Sequence, residues 1–420
     1  MAVFIGTKSN ETINPVSVSA TVKRDPADSF PGDEDDTILG RGGVDQIDGA
    51  GGNDVIDGGD GDDFLRGGNG ADVLIGGDGV DTATYRESAT GVTVNLVTGR
   101  GFFGTAEGDR LFEIESLNGS SFKDMLLGND LRNVLSGLSG DDYLSGRDGS
   151  DDLNGGLGDD QLVGGNGDDF LRGNDGADAL RGGHGTDTAS YEDSTTGVTV
   201  NLTTGLGFFG TAEGDQLSEI EILNGSSFKD ALLGDELKNV LNGLGNNDLL
   251  KGRGGHDELN GGLGADSLIG GEGNDTLNGD DDDDTLVGDS GGDELNGGTG
   301  DDRLIGGLGP DDLTGGEGSD TFVYYALDES LPGENHDIIS DFVGNGVVAG
   351  DLIDVSAIDA NASADGDQAF IFIGSAAFSA PGQLRYADGL LQGTVSFDLQ
   401  PEFEVRLADA PTLTGFDLVL

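Results

Sequence analysis

Apolar residues recur in this chain at intervals of nine. The stretch "GGLGADSLIGGEGNDTLNG", residues 261–279, shows the pattern twice: two glycines, a third glycine, an aspartate, then a leucine. With the first glycine as slot one, the aspartate falls in slot six and an aliphatic residue or Phe in slot eight. From Gly225 to Val323, slot eight reads Leu232, Leu241, Leu250, Leu259, Leu268, Leu277, Leu286, Leu295, Leu304, Leu313 and Phe322. The unit is too short for a strand and a helix. It predicts a glycine-rich turn of six residues and a strand of three, with slot eight facing inward and slots seven and nine outward. Glycines in slots one, two and four permit dihedrals closed to other residues, and an acid in slot six suits a turn. Two units make one flattened coil of a parallel β-solenoid, so each repeat stacks on the next but one.

The register divides the chain. Residues 1–30 are a lead-in. A first block, 31–84, carries slot-six residues Asp36, Asp45, Asp54, Asp63, Asp72 and Asp81. A second, 119–190, carries Asp142, Asp151, Asp160, Asp169, Asp178 and Asp187. The third, 225–323, carries Asp230, Asn239, Asp248, Asp257, Asp266, Asp275, Asp284, Asp293, Asp302, Asp311 and Asp320. Residues 85–118 and 191–224, between the blocks, are near-copies of each other, so a duplication of about a hundred residues lies above the short repeat. In both, an alternating "GVTVNL" reads as a strand. Phe102, Phe103, Phe208 and Phe209 in the copies either pad the ends of the blocks or form an exposed loop for a partner. From residue 324 to 420 glycine thins out, and short apolar segments predict a β-rich C-terminal domain.

Composition limits what such a chain can do. It has 420 residues, 80 glycines, a net charge of −61, no Cys and no Trp. That charge repels nucleic acid and anionic membranes and attracts cations. Without cysteine there is no disulfide framework and no thiolate metal site. No apolar run reaches the ~20 residues of a membrane helix, and the N-terminal stretch lacks the pattern of a cleaved signal peptide. Burying one leucine contributes roughly 1.5–3 kcal/mol. Ordering nine backbone units costs about 1–2 kcal/mol each. One slot-eight side chain per repeat cannot offset that, and stacking sets slot-six acids one strand spacing apart, about 4.8 Å. The pattern is self-consistent only with a cation between the turns. Carboxylates and glycine-freed carbonyls suit a hard, oxygen-seeking ion, and calcium accepts 6–8 such ligands in flexible geometry. Zinc would need cysteine or clustered histidine, and His184, His256 and His336 are scattered.

The phrases "GGLGADSLI", "GGEGNDTLN", "GGNGDDFLR" and "GGTGDDRLI" resemble the RTX, or hemolysin-type, calcium-binding nonapeptide GGxGxDxUx, where U is a large aliphatic. The resemblance covers most of the chain. It implies an all-β fold of right-handed parallel β-roll blocks, with multiple calcium ions held between turns by carbonyls and by the slot-six aspartates of the three blocks. Asn133, Asn239, Asn246, Asp282 and Pro310 depart from the pattern, and weaker sites are expected there. The segments "GSDTFVYYA", "HDIISDFV" and "GDLIDVSAIDAN" resemble the C-terminal region of serralysin-type and other type I secreted proteins, and the ending "FDLVL" resembles an uncleaved type I export signal. The implied setting is extracellular, around a Gram-negative bacterium. No H-E-x-x-H motif is present, and the one G-x-S-x-G match, Gly288 to Gly292, lies inside the glycine repeats and not on a strand-to-helix elbow, so no enzyme is expected. The role expected is a structural or adhesive one at the cell surface or matrix, with a polysaccharide as a candidate partner. A polysaccharide-modifying enzyme with an unfamiliar site and a calcium-dependent host-interaction effector are the alternatives.

Overall fold

Slot eight sets the inside of the molecule. The side chains of Leu232 through Leu313 in that slot, and Phe322, are fully buried, as are their counterparts Leu135 to Leu171 in the second block. The computed structural model describes residues 2–15, 17, 23–25, 30–344, 350–361 and 368–420; part of the lead-in lies outside them. Strand Ser267–Gly273 pairs in parallel with Leu249–Gly255 and Thr285–Ser290, with Leu268 beside Leu250 and Leu286. Strand Glu258–Leu263 pairs with Val240–Gly245 and Thr276–Asp281, with Leu259 beside Leu241 and Leu277. Alternate repeats therefore build two facing ladders, a parallel β-solenoid, and the stacking interval is eighteen residues.

The strands are longer than the expected three residues. Val55–Asp60 and most others run for six, because the ladder continues through slots one to three. Slot two makes this possible. Its φ is positive, 102° at Gly262 and 116° at Gly271, so the bend leaves the peptide groups aligned with the coil below. Slot one behaves otherwise: Gly261 and Gly270 keep ordinary φ, and their glycine is needed for room rather than for a dihedral.

The chain forms two compact units. One comprises Met1–Asp193 with Gly205–Ile220, and the other Ser194–Thr204 with Glu221–Leu420. Within the first, the segment 85–118 is threaded into the stack. Strand Arg110–Phe112 lies in parallel on Val73–Asp78, turns back antiparallel through Arg100–Phe102 to Thr93–Asn95, and Thr93–Asn95 supports Met125–Leu127. On the opposite ladder Ser116–Asn118 joins Thr82–Thr84 to Val134–Ser139 without interruption. Padding by the phenylalanines is not what occurs. Phe103 and Phe209 are each 65% exposed, and Phe102 and Phe208 are also exposed, because the small residues Gly101 and Gly207 fill the inward positions of that strand.

In the second unit the C-terminal region does not stand apart from the repeats. Asp337–Ile339 pairs with Asp312–Glu317, and Leu352–Asp354 with Thr321–Val323, continuing both ladders. An antiparallel set, Gln383–Ala387, Leu390–Thr394 and Phe403–Leu407, then joins through the pairing of Phe403–Leu407 with Asp337–Ile339. Phe403 packs edge-on against Tyr324 with ring centroids 5.1 Å apart.

Candidate metal sites along the turns

The slot-six aspartates are held by the coil beneath them. None of those in the three blocks is more than 4% exposed. In the third block the Asp248 N–H donates to Asp266 Oδ1 at 2.7 Å, Asp266 N–H to Asp284 at 2.7 Å, Asp284 N–H to Asp302 at 2.8 Å, and Asp302 N–H to Asp320 at 2.9 Å. The opposite edge carries Asp257, Asp275, Asp293 and Asp311 in the same relation. The second block repeats it through Asp142, Asp160 and Asp178 on one edge and Asp151, Asp169 and Asp187 on the other. The first does so through Asp36, Asp54 and Asp72, and through Asp45, Asp63 and Asp81.

One carboxylate oxygen is thus satisfied by backbone. The other is not. Oδ2 of Asp54, Asp63, Asp72, Asp142, Asp160, Asp169, Asp178, Asp248, Asp266, Asp284 and Asp302, among others, is buried and has no hydrogen-bond partner. A single buried oxygen of this kind would cost about 1–3 kcal/mol. A column of them points to a cation.

Slot one shapes the space around that oxygen. A Cβ placed on Gly279 would stand 2.2 Å from Asp284 Oδ2 and 2.5 Å from the Gly297 carbonyl oxygen, one coil further on. On Gly297 it would meet Asp302 Oδ2 at 2.3 Å and the Gly315 carbonyl at 2.5 Å. The bare glycine leaves a cradle of carboxylate and carbonyl oxygens. Among the described residues no three acid or imidazole side chains converge on one point. The donor set is one carboxylate per repeat plus backbone carbonyls, all oxygen, which fits calcium and excludes ions that need nitrogen or sulfur. The slot-six aspartates and the turn carbonyls beside them would hold it.

Without an ion the acids resist ionising. Burial first, and then the neighbouring carboxylates in the column, push Asp284 and Asp248 up to about 8 and Asp54 and Asp169 up to about 7, against a partial lowering by the backbone N–H each accepts. A bound cation reverses this balance by favouring the charged form.

The departures from the repeat behave differently at different slots. Asn133 and Asn239 accept from the N–H groups of Asn129 and Asp235 in their own turns, at 2.7 and 2.8 Å. Asn246 and Asp282 adopt the slot-four conformation, with φ of 67° and 78°, which short polar side chains tolerate. Pro310 is explained by a ladder that the repeat pattern does not announce. In slot five, the side chain accepts from the slot-five N–H one coil on: Asp283 from Asp301, Asp301 from Ser319, and Asn274 from Gly292. Gly292 has no side chain to accept, so the proline that follows it in the stack loses nothing by lacking an N–H.

Sequence periodicity also missed acids that extend the slot-six columns beyond the blocks. Asp109 and Asp215 accept from Asp72 and Asp178 at 2.8 and 2.9 Å, and Asp337 accepts from Asp311 at 3.0 Å. Their separations of 37, 37 and 26 residues break the eighteen-residue interval. The duplicated "TAEGD" that ends on Asp109 and Asp215 was the available clue.

The family comparison agrees with the geometry. The model of the RTX calcium-binding nonapeptide repeat matches residues 32–56, 49–83, 127–162, 155–189, 233–268, 261–295 and 287–322, which lie in all three blocks. A search of curated proteins gave no match. Among solved structures, the extracellular lipase LipA from Serratia marcescens is similar at 17% identity over 71% of this chain, with a TM-score of 0.17. The aligned part spans 40% of that lipase's length.

Proposed function

This chain is an RTX calcium-binding repeat protein, and we propose that it leaves a Gram-negative cell unfolded, through a type I exporter, and folds outside on calcium into a structural or adhesive element of the surface or matrix. The observation that carries this reading is the column of buried Oδ2 atoms with no donor. Calcium supplies the positive charge that lets such a column ionise. The residues of the chain do the rest. Backbone N–H groups fix each carboxylate through Oδ1, slot-one glycines leave the cradle open, and the slot-eight leucines exclude water from one side.

Extracellular calcium modules bind at about 10⁻⁴–10⁻³ M, so folding follows the step in calcium concentration across the envelope. Leu418–Val419 is paired with Ile353–Asp354 in the fold, so an export signal in this segment would be read before folding. We expect far-UV circular dichroism to show β structure at millimolar calcium and its loss with chelator. Equal β content in both would sink the reading.

We also read the chain as non-catalytic, its role being carried by a rigid, repetitive surface facing polysaccharide. Screening acidic glycans for turnover with calcium present tests this. Turnover abolished by a point change outside slot six would replace it with an enzyme.

A further inference from the structure

Every block closes on the same short phrase. The first ends Asp81-Thr82-Ala83-Thr84-Tyr85, the second Asp187-Thr188-Ala189-Ser190-Tyr191, and the third Asp320-Thr321-Phe322-Val323-Tyr324. The chain holds only 6 tyrosines, and these three are the ones sealed from solvent, at 2%, 2% and 1% exposure.

Each sealed tyrosine is set against one of the acids that continue a slot-six column out of its block. Tyr191 Oη donates to Asp215 Oδ2 at 3.1 Å. Tyr85 faces Asp109 and Tyr324 faces Asp337, but there the hydroxyl stands outside hydrogen-bond geometry and Oδ2 of Asp109 and of Asp337 has no donor. The first oxygen of each acid still does what the column requires, accepting the N–H of Asp72, Asp178 or Asp311.

The glycine cradle is what these positions lack. Five residues before Asp109 stands Gly104, whose open side meets Ser88 Oγ rather than the carboxylate. Five before Asp337 stands Pro332 in place of a glycine. Where a repeat offers its second oxygen a set of carbonyls and room for an ion, these positions offer it a phenol O–H.

The starts of the second and third blocks are closed from within as well. Asp124 Oδ2 accepts the Ser120 N–H at 2.6 Å, and Asp230 Oδ2 accepts the Ser226 N–H at 2.5 Å.

We propose that Tyr85–Asp109, Tyr191–Asp215 and Tyr324–Asp337 are ion-free closures, in which a phenol takes the place of calcium and ends the column after Asp72, Asp178 and Asp311. A neutral donor satisfies a buried carboxylate oxygen without another turn to complete the coordination, so an array can stop where the repeat stops. Calcium is then bound in arrays whose ends are written in the sequence.

This inference rests on calcium binding by the repeats, and the experiment separates the two. Bound calcium per full-length chain is counted by equilibrium dialysis at saturating calcium, for the unmodified protein and two sets of variants. D109N, D215N and D337N together should leave the count unchanged. D160N, D169N and D284N together should lower it. In parallel, Y85F, Y191F and Y324F should leave the count unchanged and raise the calcium midpoint of the far-UV signal several-fold, because each removes the hydroxyl that faces a buried carboxylate, at Tyr191 a direct donor.

A loss of one ion for each of Asp109, Asp215 and Asp337 would overturn the proposal, and so would tyrosine variants with an unmoved midpoint. No calcium on the unmodified chain would instead overturn the functional reading beneath it. If a triple variant fails to fold, native mass spectrometry of the single variants D215N and D284N makes the same comparison, with the same two outcomes.

Discussion

A glycine in slot one and a glycine in slot two look alike in the sequence and answer different demands. Slot two needs a positive φ. Slot one needs an absent Cβ, because Gly279 lies within 2.2 Å of Asp284 Oδ2 at the point where a methyl would sit. Gly279→Ala should therefore fill one cradle. We expect lower calcium occupancy by dialysis and a loss of about 1–3 kcal/mol in urea unfolding at saturating calcium, the usual cost of overpacking. Leu244 shows the other demand, since it occupies slot two with a φ of 75°. A left-handed conformation costs a non-glycine residue roughly 1–2 kcal/mol, and glycine returns part of that as chain entropy. Leu244→Gly should stabilise the loaded fold by about 0.5–1 kcal/mol in the same urea assay. A loss of stability there would mean that the leucine packs more than its exposure suggests. The slot-six aspartates were legible because repetition in phase singles them out. The reason for each glycine was not, since composition does not separate room from dihedral.

The strand is the next scale, and here half the architecture was readable. Slot eight gave the inward column, and the eighteen-residue stacking follows from two units per coil. Leu277→Ala, at the centre of that column, should cost about 2–5 kcal/mol, as a fully enclosed leucine does. The slot-five ladder escaped sequence reading because its members vary among Asp, Asn, Ser and His and share only an acceptor. It makes a paired prediction. Ser319 donates its N–H to Asp301 Oδ1 at 2.9 Å, so Ser319→Pro should lose about 0.5–1.5 kcal/mol. Pro310→Ser, above Gly292 with no acceptor, should leave the urea midpoint unmoved. The threaded segment 85–118 was equally hard to foresee. Its strands are three residues long, too short for alternation to distinguish a parallel neighbour from an antiparallel one. Only "GVTVNL" announced itself, and its turn back through Arg100–Phe102 puts the phenylalanines outside.

For the whole molecule, protons and calcium compete for the same columns. Asp248 and Asp284 rise to about 8 in the ion-free fold, against 3.8 as model acids, with desolvation the first cause and stacked acids the next. The folded, ion-free chain therefore binds more protons than the unfolded chain between those values. Stability of the ion-free fold falls as pH rises through this window and stays low above it. With calcium present the sign reverses, because the ion binds only the charged carboxylates and its apparent affinity rises with pH. In chelator, lowering the pH from 8 toward 5 should restore β signal by circular dichroism. In calcium, the same change should raise the calcium midpoint. Acid also reduces the net charge of −61, which by itself favours compaction. Asparagine, as a fixed stand-in for the protonated acid, separates the two causes. D248N, D266N and D284N together should shift the ion-free chain toward the folded signal at neutral pH. D281N, D282N and D283N remove the same charge from exposed turn positions and should shift it much less. Equal shifts from the two sets would assign calcium-dependent folding to overall charge, and the buried columns would lose their place as its cause.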